Sequence, residues 1–312
     1  MPEMQRRTFL ALSGLAVAGI ATACGGKGDG IEPNKLSLDQ VIQGSKDRKL
    51  GEFTMIQALG EVLVSPDARV TFALLDKAGT TRLKGGTIRV FAAMDRSSPA
   101  HGPVNASYHD EGLGEKGVYV VRLKLDKPGN WDVLAVGKPE GASGQLYGGA
   151  TFPVVAQVSG PAPGGPALSV STPTVDNHRG VEPYCTRVDA QAKPAPCAMH
   201  TISLDAALQN GKPTVFNIGT PKFCQSQVCG PVVDVIQSVS TEFTDRVNFI
   251  HAEVYKDDKD APAKGLLAPA PAAYKLTEEP ITYWIRPDGT ITERLVGPVD
   301  IPEVRDLTNA LL

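Results

Sequence analysis

The sequence predicts two folded domains, an all-β sandwich followed by an α/β domain. The chain has 312 residues, of which 42% are hydrophobic, and this is too long for one small core and ample for two. Residues 51–157 contain short stretches of alternating apolar and polar residues, which are typical of strands. Residues 181–312 alternate strand-like and helix-like stretches, and the Pro- and Gly-rich segment 158–180 separates the two regions as a predicted linker.

The overall charge argues against one class of partner. Lys and Arg total 31 against 34 for Asp and Glu, so the net charge is −3, and no block of like charge forms a basic arm. Proteins that bind nucleic acid carry a basic surface of that kind. Nucleic acid is therefore not expected among the partners.

The N-terminus has the pattern of an export signal. Arg6 and Arg7 directly precede an apolar run at residues 9–23. This run is shorter than the roughly 20 residues that a membrane-spanning helix needs, and it ends in small residues before Cys24. The paired arginines resemble a twin-arginine translocation signal, and the small residues before Cys24 resemble a bacterial lipobox.

These resemblances imply that residues 1–23 are a signal peptide and that Cys24 carries lipid. The alternatives are plain cleavage with secretion, or an uncleaved anchor helix. The expected location is the outer face of the cytoplasmic membrane, in the cell envelope, with the lipid on Cys24 as the contact to the membrane. Residues 24–50 begin with a Gly-rich stretch and are predicted to form a flexible tether.

Six stretches of the first domain are predicted to be strands. Alternation is clearest at residues 117–125, and turns rich in Gly, Pro, Asp and Asn separate the stretches. Because long helical periodicity is missing, the pattern favours an antiparallel β-sandwich. Residues 117–136 resemble the small immunoglobulin-like domains of exported bacterial proteins, which implies an immunoglobulin-like sandwich. The predicted strands are 68–75, 87–93, 104–108, 117–125, 131–136 and 146–153.

The second domain is predicted to alternate strands and helices and to end in a hairpin and a helix. Val232, Ile236, Val239 and Phe243 are three and four residues apart, which defines the buried face of one helix. The other predicted elements are a short helix at 203–208, strands at 213–218 and 247–254, a hairpin of 281–285 and 290–296, and a helix from about 302 to 312.

The cysteines are concentrated in the second domain. If Cys24 carries lipid, four cysteines remain, and four can form two pairs that persist outside the cytoplasmic membrane. Cys185 and Cys197 lie in a Pro-rich segment and are predicted to form a structural disulfide. Closing this loop would contribute about 3 kcal/mol.

Cys224 and Cys229 stand at a strand-to-helix junction. In a regular helix, Cα atoms five residues apart are about 8.7 Å from each other, beyond the ~7 Å limit for a disulfide. If the two cysteines pair, residues 224–229 cannot all be helical. Pro231 then predicts a helix start near Gly230, and a helix N-terminus favours a thiolate.

A strand, a cysteine pair at a helix start, the late sequence Glu279-Pro280-Ile281-Thr282 and a hairpin follow one another in an order that resembles the thioredoxin family. The resemblance covers roughly residues 204–312 and implies a thioredoxin-like domain with a cis proline at Pro280. It further implies that Cys224 attacks a substrate disulfide and that Cys229 resolves the mixed disulfide. Phe223 and Pro280 would contact the substrate.

Three departures from the family pattern bear on activity. The spacing is Cys-x-x-x-x-Cys, whereas the family uses Cys-x-x-Cys, and Phe223 replaces the family's Trp. The preceding strand has Asn217 where thioredoxins bury an acid. Because an amide cannot relay protons as a carboxylate does, Asn217 argues against efficient general reductase activity.

The predicted activity is thiol–disulfide exchange, with thiols or disulfides of exported proteins and a redox partner as its partners. No cofactor beyond the redox-active disulfide and no metal ligand belong to this hypothesis. Two alternatives stay open: a non-catalytic exported binding module with structural disulfides, and a copper-binding, chaperone-like protein. In the copper hypothesis, soft thiolates would select Cu(I), and His200 and His251 are the candidate histidines.

Overall fold

The computed structural model describes residues 36–58, 61–189 and 191–312. The predicted signal peptide, the lipidation site at Cys24 and the first part of the predicted tether lie outside these residues. No helix in the described part of the chain is long and apolar enough to cross a membrane. The described residues of both domains belong to one compact unit.

The first domain is mostly strand, as predicted. Its six long strands agree with the six predicted stretches. The additional strands are two to four residues long, too short to produce a periodic signal. The elements are α1 (Leu38–Asp47), β1 (Gly51–Glu52), β2 (Thr54–Gln57), β3 (Val62–Leu63), β4 (Ser65–Leu75), β5 (Arg82–Leu83), β6 (Thr87–Ala93), β7 (His101–His109), β8 (Val118–Leu125), β9 (Gly129–Lys138) and β10 (Leu146–Val155).

These strands form one continuous, barrel-like sheet around a shared core. The strand order is β1-β10-β9-β6-β7-β8-β4-β2, with β3 added to β10 and β5 added to β4. Strand β7 joins the two halves, because its first part pairs with β6 and its last residues, Ser107 to His109, pair with β8. Phe72, Trp131 and Phe152 from both halves pack in the same core. The all-β prediction is confirmed, but the two separate sheets expected of an immunoglobulin-like sandwich are not present in the described residues.

Helix α1 corrects the predicted tether at residues 24–50. Ser37 and Gln40 form a capping box, in which each side chain accepts a hydrogen bond from the backbone N–H of the other. Leu38 and Val41 are buried against β6 and β9, in a cluster that includes Phe91. Residues 36–50 are therefore part of the β-domain. The composition of residues 24–50 did not predict helix α1, because the apolar residues of this helix form only one short face.

The second domain is an α/β domain with the predicted order of elements. Two short helices, Ala261–Lys264 and Pro269–Ala273, were not predicted separately. The elements are α2 (Leu204–Ala207), β11 (Thr214–Ile218), α3 (Cys229–Ser240), β12 (Asn248–Ala252), α4 (Ala261–Lys264), α5 (Pro269–Ala273), β13 (Ile281–Ile285), β14 (Ile291–Val296) and α6 (Ile301–Asn309).

The sheet of this domain has helices on both faces. Its order is β12-β11-β13-β14, with β11 and β12 parallel and the other pairs antiparallel. Helices α3 and α6 cover one face through Val232, Ile236 and Val304, and α2 and α5 cover the other. This arrangement leaves the ends of β11 and β12 beside the N-terminus of α3.

Residues 158–180 are not the free linker that their composition predicts. The N–H of Gly164 donates to the carbonyl of Ile291, and the N–H of Ile291 donates to the carbonyl of Gly165. Thr172 is fully buried, and its Oγ1 accepts a hydrogen bond from the N–H of Leu204 at the start of α2. The segment is irregular, yet these tertiary hydrogen bonds hold it against the second domain.

The two domains are joined by a buried ion pair. Arg69 on β4 donates from Nε and Nη2 to the Glu303 carboxylate at 2.6 and 2.7 Å, and from Nη2 to the carbonyl of Pro298 at 2.8 Å. The Arg69 and Glu303 side chains are only 5% and 10% exposed. His109 Nδ1 lies 3.1 Å from the carboxylate of Asp300, which caps α6. These contacts fix the β-domain against the N-terminus of α6.

Replacing Arg69 by Met would leave the Glu303 carboxylate buried without its partner. We expect this change to lower the free energy of unfolding by about 3 kcal/mol, measured by urea titration. Arg122→Met is the matched control, because it removes the ion pair between the more exposed Arg122 and Asp67. The control should change the free energy by less than about 0.5 kcal/mol. Equal, small effects of both substitutions would mean that the buried pair does not hold the domains together.

Candidate functional site

A disulfide joins Cys224 to Cys229 at the N-terminus of α3. Their Cα atoms are 6.0 Å apart, closer than a continuous helix allows. The chain turns before the helix, Gln227 adopts a left-handed conformation with φ 57°, and α3 begins at Cys229. Pro231 therefore lies in the first turn of the helix. The predicted loop ahead of a helix start near Gly230 is confirmed.

The surroundings of the two sulfur atoms differ. Cys229 is fully buried, whereas Cys224 is 8% exposed. Cys224 Sγ accepts a hydrogen bond from the N–H of Cys229 at 3.3 Å and lies 3.2 Å from the Ser226 hydroxyl. A helix N-terminal N–H and a hydroxyl both stabilise negative charge on sulfur. Once the disulfide is reduced, Cys224 is the sulfur that this site favours as a thiolate.

Glu279 brings a carboxyl group to the buried sulfur. Its Oε2 lies 3.5 Å from Cys229 Sγ and accepts a hydrogen bond from the N–H of Thr220 at 2.8 Å. Burial raises the pKa of Glu279 to about 7, although the hydrogen bond from Thr220 opposes this shift. A carboxyl group that titrates near neutrality can exchange a proton with a thiol. The only signal for Glu279 in the sequence is its position directly before Pro280.

Asn217 holds the sheet together and is not an acid for the site. It is fully buried on β11, and its Nδ2 donates to Thr282 Oγ1 at 2.9 Å and to the carbonyl of Ile281 at 3.2 Å. Its Oδ1 has no hydrogen-bond partner among the described residues. The acid that the resemblance leads one to expect on this strand is absent, and Glu279 approaches Cys229 from a different element.

A groove of about 410 Å³ lies beside the disulfide. Phe223 lines it and packs edge-on against Tyr255, with ring centroids 6.0 Å apart. Gln57 and Ala58 of the β-domain line the same groove. Both domains therefore line this groove.

Pro280 lies deeper than Phe223. It is buried after a cis peptide bond, as the resemblance implied. Gly219 separates it from Cys229, because a Cβ atom on Gly219 would come within 3.3 Å of Pro280 and 3.5 Å of Cys229. Of the two residues predicted to contact substrate, the structure places Phe223 in the groove and Pro280 behind it.

The predicted disulfide between Cys185 and Cys197 is not formed. The two Sγ atoms are 3.8 Å apart, against about 2.05 Å in a disulfide, and both buried thiols are free in the described structure. The prediction was wrong because counting cysteines ignores the histidines that pack against them. His251 Nδ1 lies 3.7 Å from Cys185 Sγ and 3.5 Å from Cys197 Sγ, and His200 Nε2 lies 3.3 Å from His251 Nδ1.

These four residues, called the Cys–His cluster below, also change the copper hypothesis. That hypothesis joined His200 or His251 to Cys224 and Cys229, but the structure places both histidines with the other cysteine pair. Within the cluster, the hydrogen bond between the two sulfurs holds the pKa of Cys185 far below its ordinary value. The same contact, together with burial, raises the pKa of Cys197. The buried pair therefore favours one thiolate beside one thiol.

Of the comparisons with known proteins, the one with solved structures gives matches. No protein-family model matches the chain, and no curated protein matches it. Among solved structures, the chain is similar to a thiol:disulfide interchange protein of the thioredoxin family from Chlorobium tepidum TLS. The two are 19% identical, the match covers 48% of this chain and 97% of that chain, and the TM-score is 0.28.

Proposed function

We propose that the protein is a thioredoxin-like thiol–disulfide oxidoreductase that acts on exported proteins through Cys224 and Cys229. The observation that carries the proposal is that the two sulfur atoms have different surroundings. Cys224 lies at a helix N-terminus next to a groove, and Cys229 lies inside against Glu279. A disulfide that only clips a loop needs neither a stabilised thiolate nor a carboxyl group with a pKa near 7.

Each group has a defined step in the exchange. In the reducing direction, the Cys224 thiolate attacks a substrate disulfide, a mixed disulfide forms and one substrate thiolate leaves. Glu279 accepts the proton of Cys229, whose thiolate attacks Cys224 Sγ, restores the internal disulfide and expels the second substrate thiolate. In the oxidising direction the steps reverse, and Glu279 returns the proton to Cys229 as it leaves.

The groove beside the disulfide supports a polypeptide segment as the substrate. Phe223 and Val228 offer apolar surface, Thr277 offers a polar group, and Gln57 lines the same groove. Because Gln57 belongs to the β-domain, we assign that domain a part in binding the client protein. A pure spacer would not need to border the cysteines.

The proposed location is the outer face of the cytoplasmic membrane. This part of the proposal rests on Arg6 and Arg7, the apolar residues up to Ala23 and the lipid acceptor Cys24. Disulfides form and persist in exported proteins, so substrates of the required chemistry occur there. A second redox protein that reduces or oxidises the Cys224–Cys229 pair completes the cycle.

Cys229→Ser is expected to trap the first step. After reduction, this variant should react with glutathione disulfide and keep one glutathione on Cys224, because the neighbouring thiol that would resolve the mixed disulfide has been removed. Peptide mass spectrometry locates the adduct. The wild-type protein should release glutathione and return to its internal disulfide. In the control Cys224→Ser, the buried Cys229 should react at least tenfold more slowly, and equal reaction of the two cysteines would contradict the assigned order.

Glu279→Gln is expected to change the pH dependence of disulfide reduction. Below pH about 7 the Glu279 carboxyl is protonated and can donate to the leaving Cys229 thiolate, whereas Gln cannot. With dithiothreitol as reductant, we expect the disulfide of the variant to be reduced at least about tenfold more slowly than that of the wild type at pH 6. This difference should shrink above pH 8, where Glu279 is ionised.

Glu278→Gln removes the adjacent carboxyl group and is the matched control for this experiment. It should follow the wild-type rate across the same pH range. A ratio of wild-type to Glu279→Gln rates that does not change between pH 6 and pH 8 would show that Glu279 does not transfer the proton.

A further inference from the structure

The Cys–His cluster brings together four donor atoms from three parts of the second domain. Cys185 and Cys197 bound an irregular loop, His200 follows three residues after Cys197, and His251 lies on β12. One donor atom from each side chain lies within 4.8 Å of all the others. All four side chains are at most 3% exposed. The proposed redox reaction uses none of them.

Four of the six distances between these atoms match the edges of a metal-centred tetrahedron. With Zn–S about 2.3 Å and Zn–N about 2.05 Å, tetrahedral angles place two sulfurs about 3.8 Å apart, sulfur and nitrogen about 3.6 Å apart, and two nitrogens about 3.3 Å apart. The observed distances are 3.8 Å for the two sulfurs, 3.7 and 3.5 Å from the sulfurs to His251, and 3.3 Å between the two nitrogens. A disulfide would bring the sulfurs much closer together.

Hydrogen bonds orient both imidazole rings toward the sulfurs. His251 Nε2 lies 2.9 Å from the carbonyl oxygen of Gly219, and His200 Nδ1 lies 3.4 Å from that of Pro173. A carbonyl oxygen only accepts, so these two nitrogens carry the protons. When both rings are neutral, as in a metal-bound cluster, His251 Nδ1 and His200 Nε2 present lone pairs to its centre. Metal-bound histidines are held by such outer hydrogen bonds.

The charge of the cluster suits a divalent cation. Two thiolates and two neutral imidazoles carry −2, so one divalent ion makes the site neutral, as complete burial requires. Binding of the ion displaces the thiol protons. The N–H of Cys197 also donates to Cys185 Sγ at 3.4 Å, which stabilises a thiolate there. Mg²⁺ and Ca²⁺ prefer oxygen ligands, whereas tetrahedral sites with two sulfurs and two nitrogens suit Zn²⁺.

We propose that Cys185, Cys197, His200 and His251 bind one Zn²⁺ ion as a structural site. Four protein ligands leave no position open for a substrate, so the ion fastens the chain and takes no part in catalysis. It ties the 185–197 loop, where the described residues form one isolated bridge between Val188 and Pro194, to strand β12. It also keeps two thiols out of exchange with the Cys224–Cys229 pair.

The first test measures metal in the full-length wild-type protein after incubation with Zn²⁺ under reducing conditions and removal of excess ion. We expect about one zinc per chain by elemental mass spectrometry. X-ray absorption at the zinc edge should give two sulfur neighbours at about 2.3 Å and two nitrogen neighbours at about 2.05 Å. Substitution with Co²⁺ should give the visible bands of a tetrahedral ion and a thiolate-to-cobalt charge-transfer band.

Substitutions of single residues test which side chains bind the zinc ion. Cys197→Ser should lower zinc affinity at least tenfold, whereas the double variant Cys224→Ser, Cys229→Ser should keep one zinc per chain. The double variant has no redox disulfide, so the zinc site and the proposed redox function can fail independently. If Cys197→Ser does not fold, X-ray absorption of the wild type still decides. A zinc content near zero, a Cys185–Cys197 disulfide in zinc-treated protein, or uptake of Cu(I) without Zn²⁺ would overturn the proposal.

Discussion

The backbone of Gly219 and Thr220, directly after β11, carries the hydrogen bonds on which both cysteine sites depend. The carbonyl of Gly219 accepts from His251, while the N–H of Thr220 donates to Glu279 and its carbonyl accepts from the N–H of Cys224. Gly219 also allows a close approach, because a Cβ atom there would lie against both Pro280 and Cys229. One dipeptide thus orients a buried imidazole on one side and a buried carboxyl group on the other.

This arrangement separates two cysteine pairs that differ in environment. Cys224 and Cys229 lie at a helix N-terminus beside a groove, and Cys224 is 8% exposed. Cys185 and Cys197 lie in the core with two histidines and are closed to solvent. In the proposed function the first pair cycles between dithiol and disulfide. The proposed zinc ion would hold the second pair as thiolates, so that the two pairs do not exchange with each other.

The sequence predicted those strand bounds and helix starts that depend on residues close together in the chain. Strand β6 and the hairpin strand β13 have the predicted bounds, and Pro231 indicated where α3 begins, because alternation and proline act within a few residues. Glu279 and the Cys–His cluster were missed as sites, because they depend on contacts between residues about 50 apart in the chain. Composition also misled at residues 158–180, where Gly and Pro mark irregular chain but do not report its tertiary hydrogen bonds.

The most direct test of the proposed redox role is a redox titration of the full-length protein, with alkylation and mass spectrometry reporting each cysteine separately. The proposal predicts that Cys224 and Cys229 convert reversibly between disulfide and dithiol within about −270 to −120 mV, the range of known thioredoxin-fold oxidoreductases. In zinc-loaded protein, Cys185 and Cys197 should stay reduced throughout. A Cys224–Cys229 disulfide that is still intact below about −300 mV would contradict the redox role and identify the bond as a structural clip.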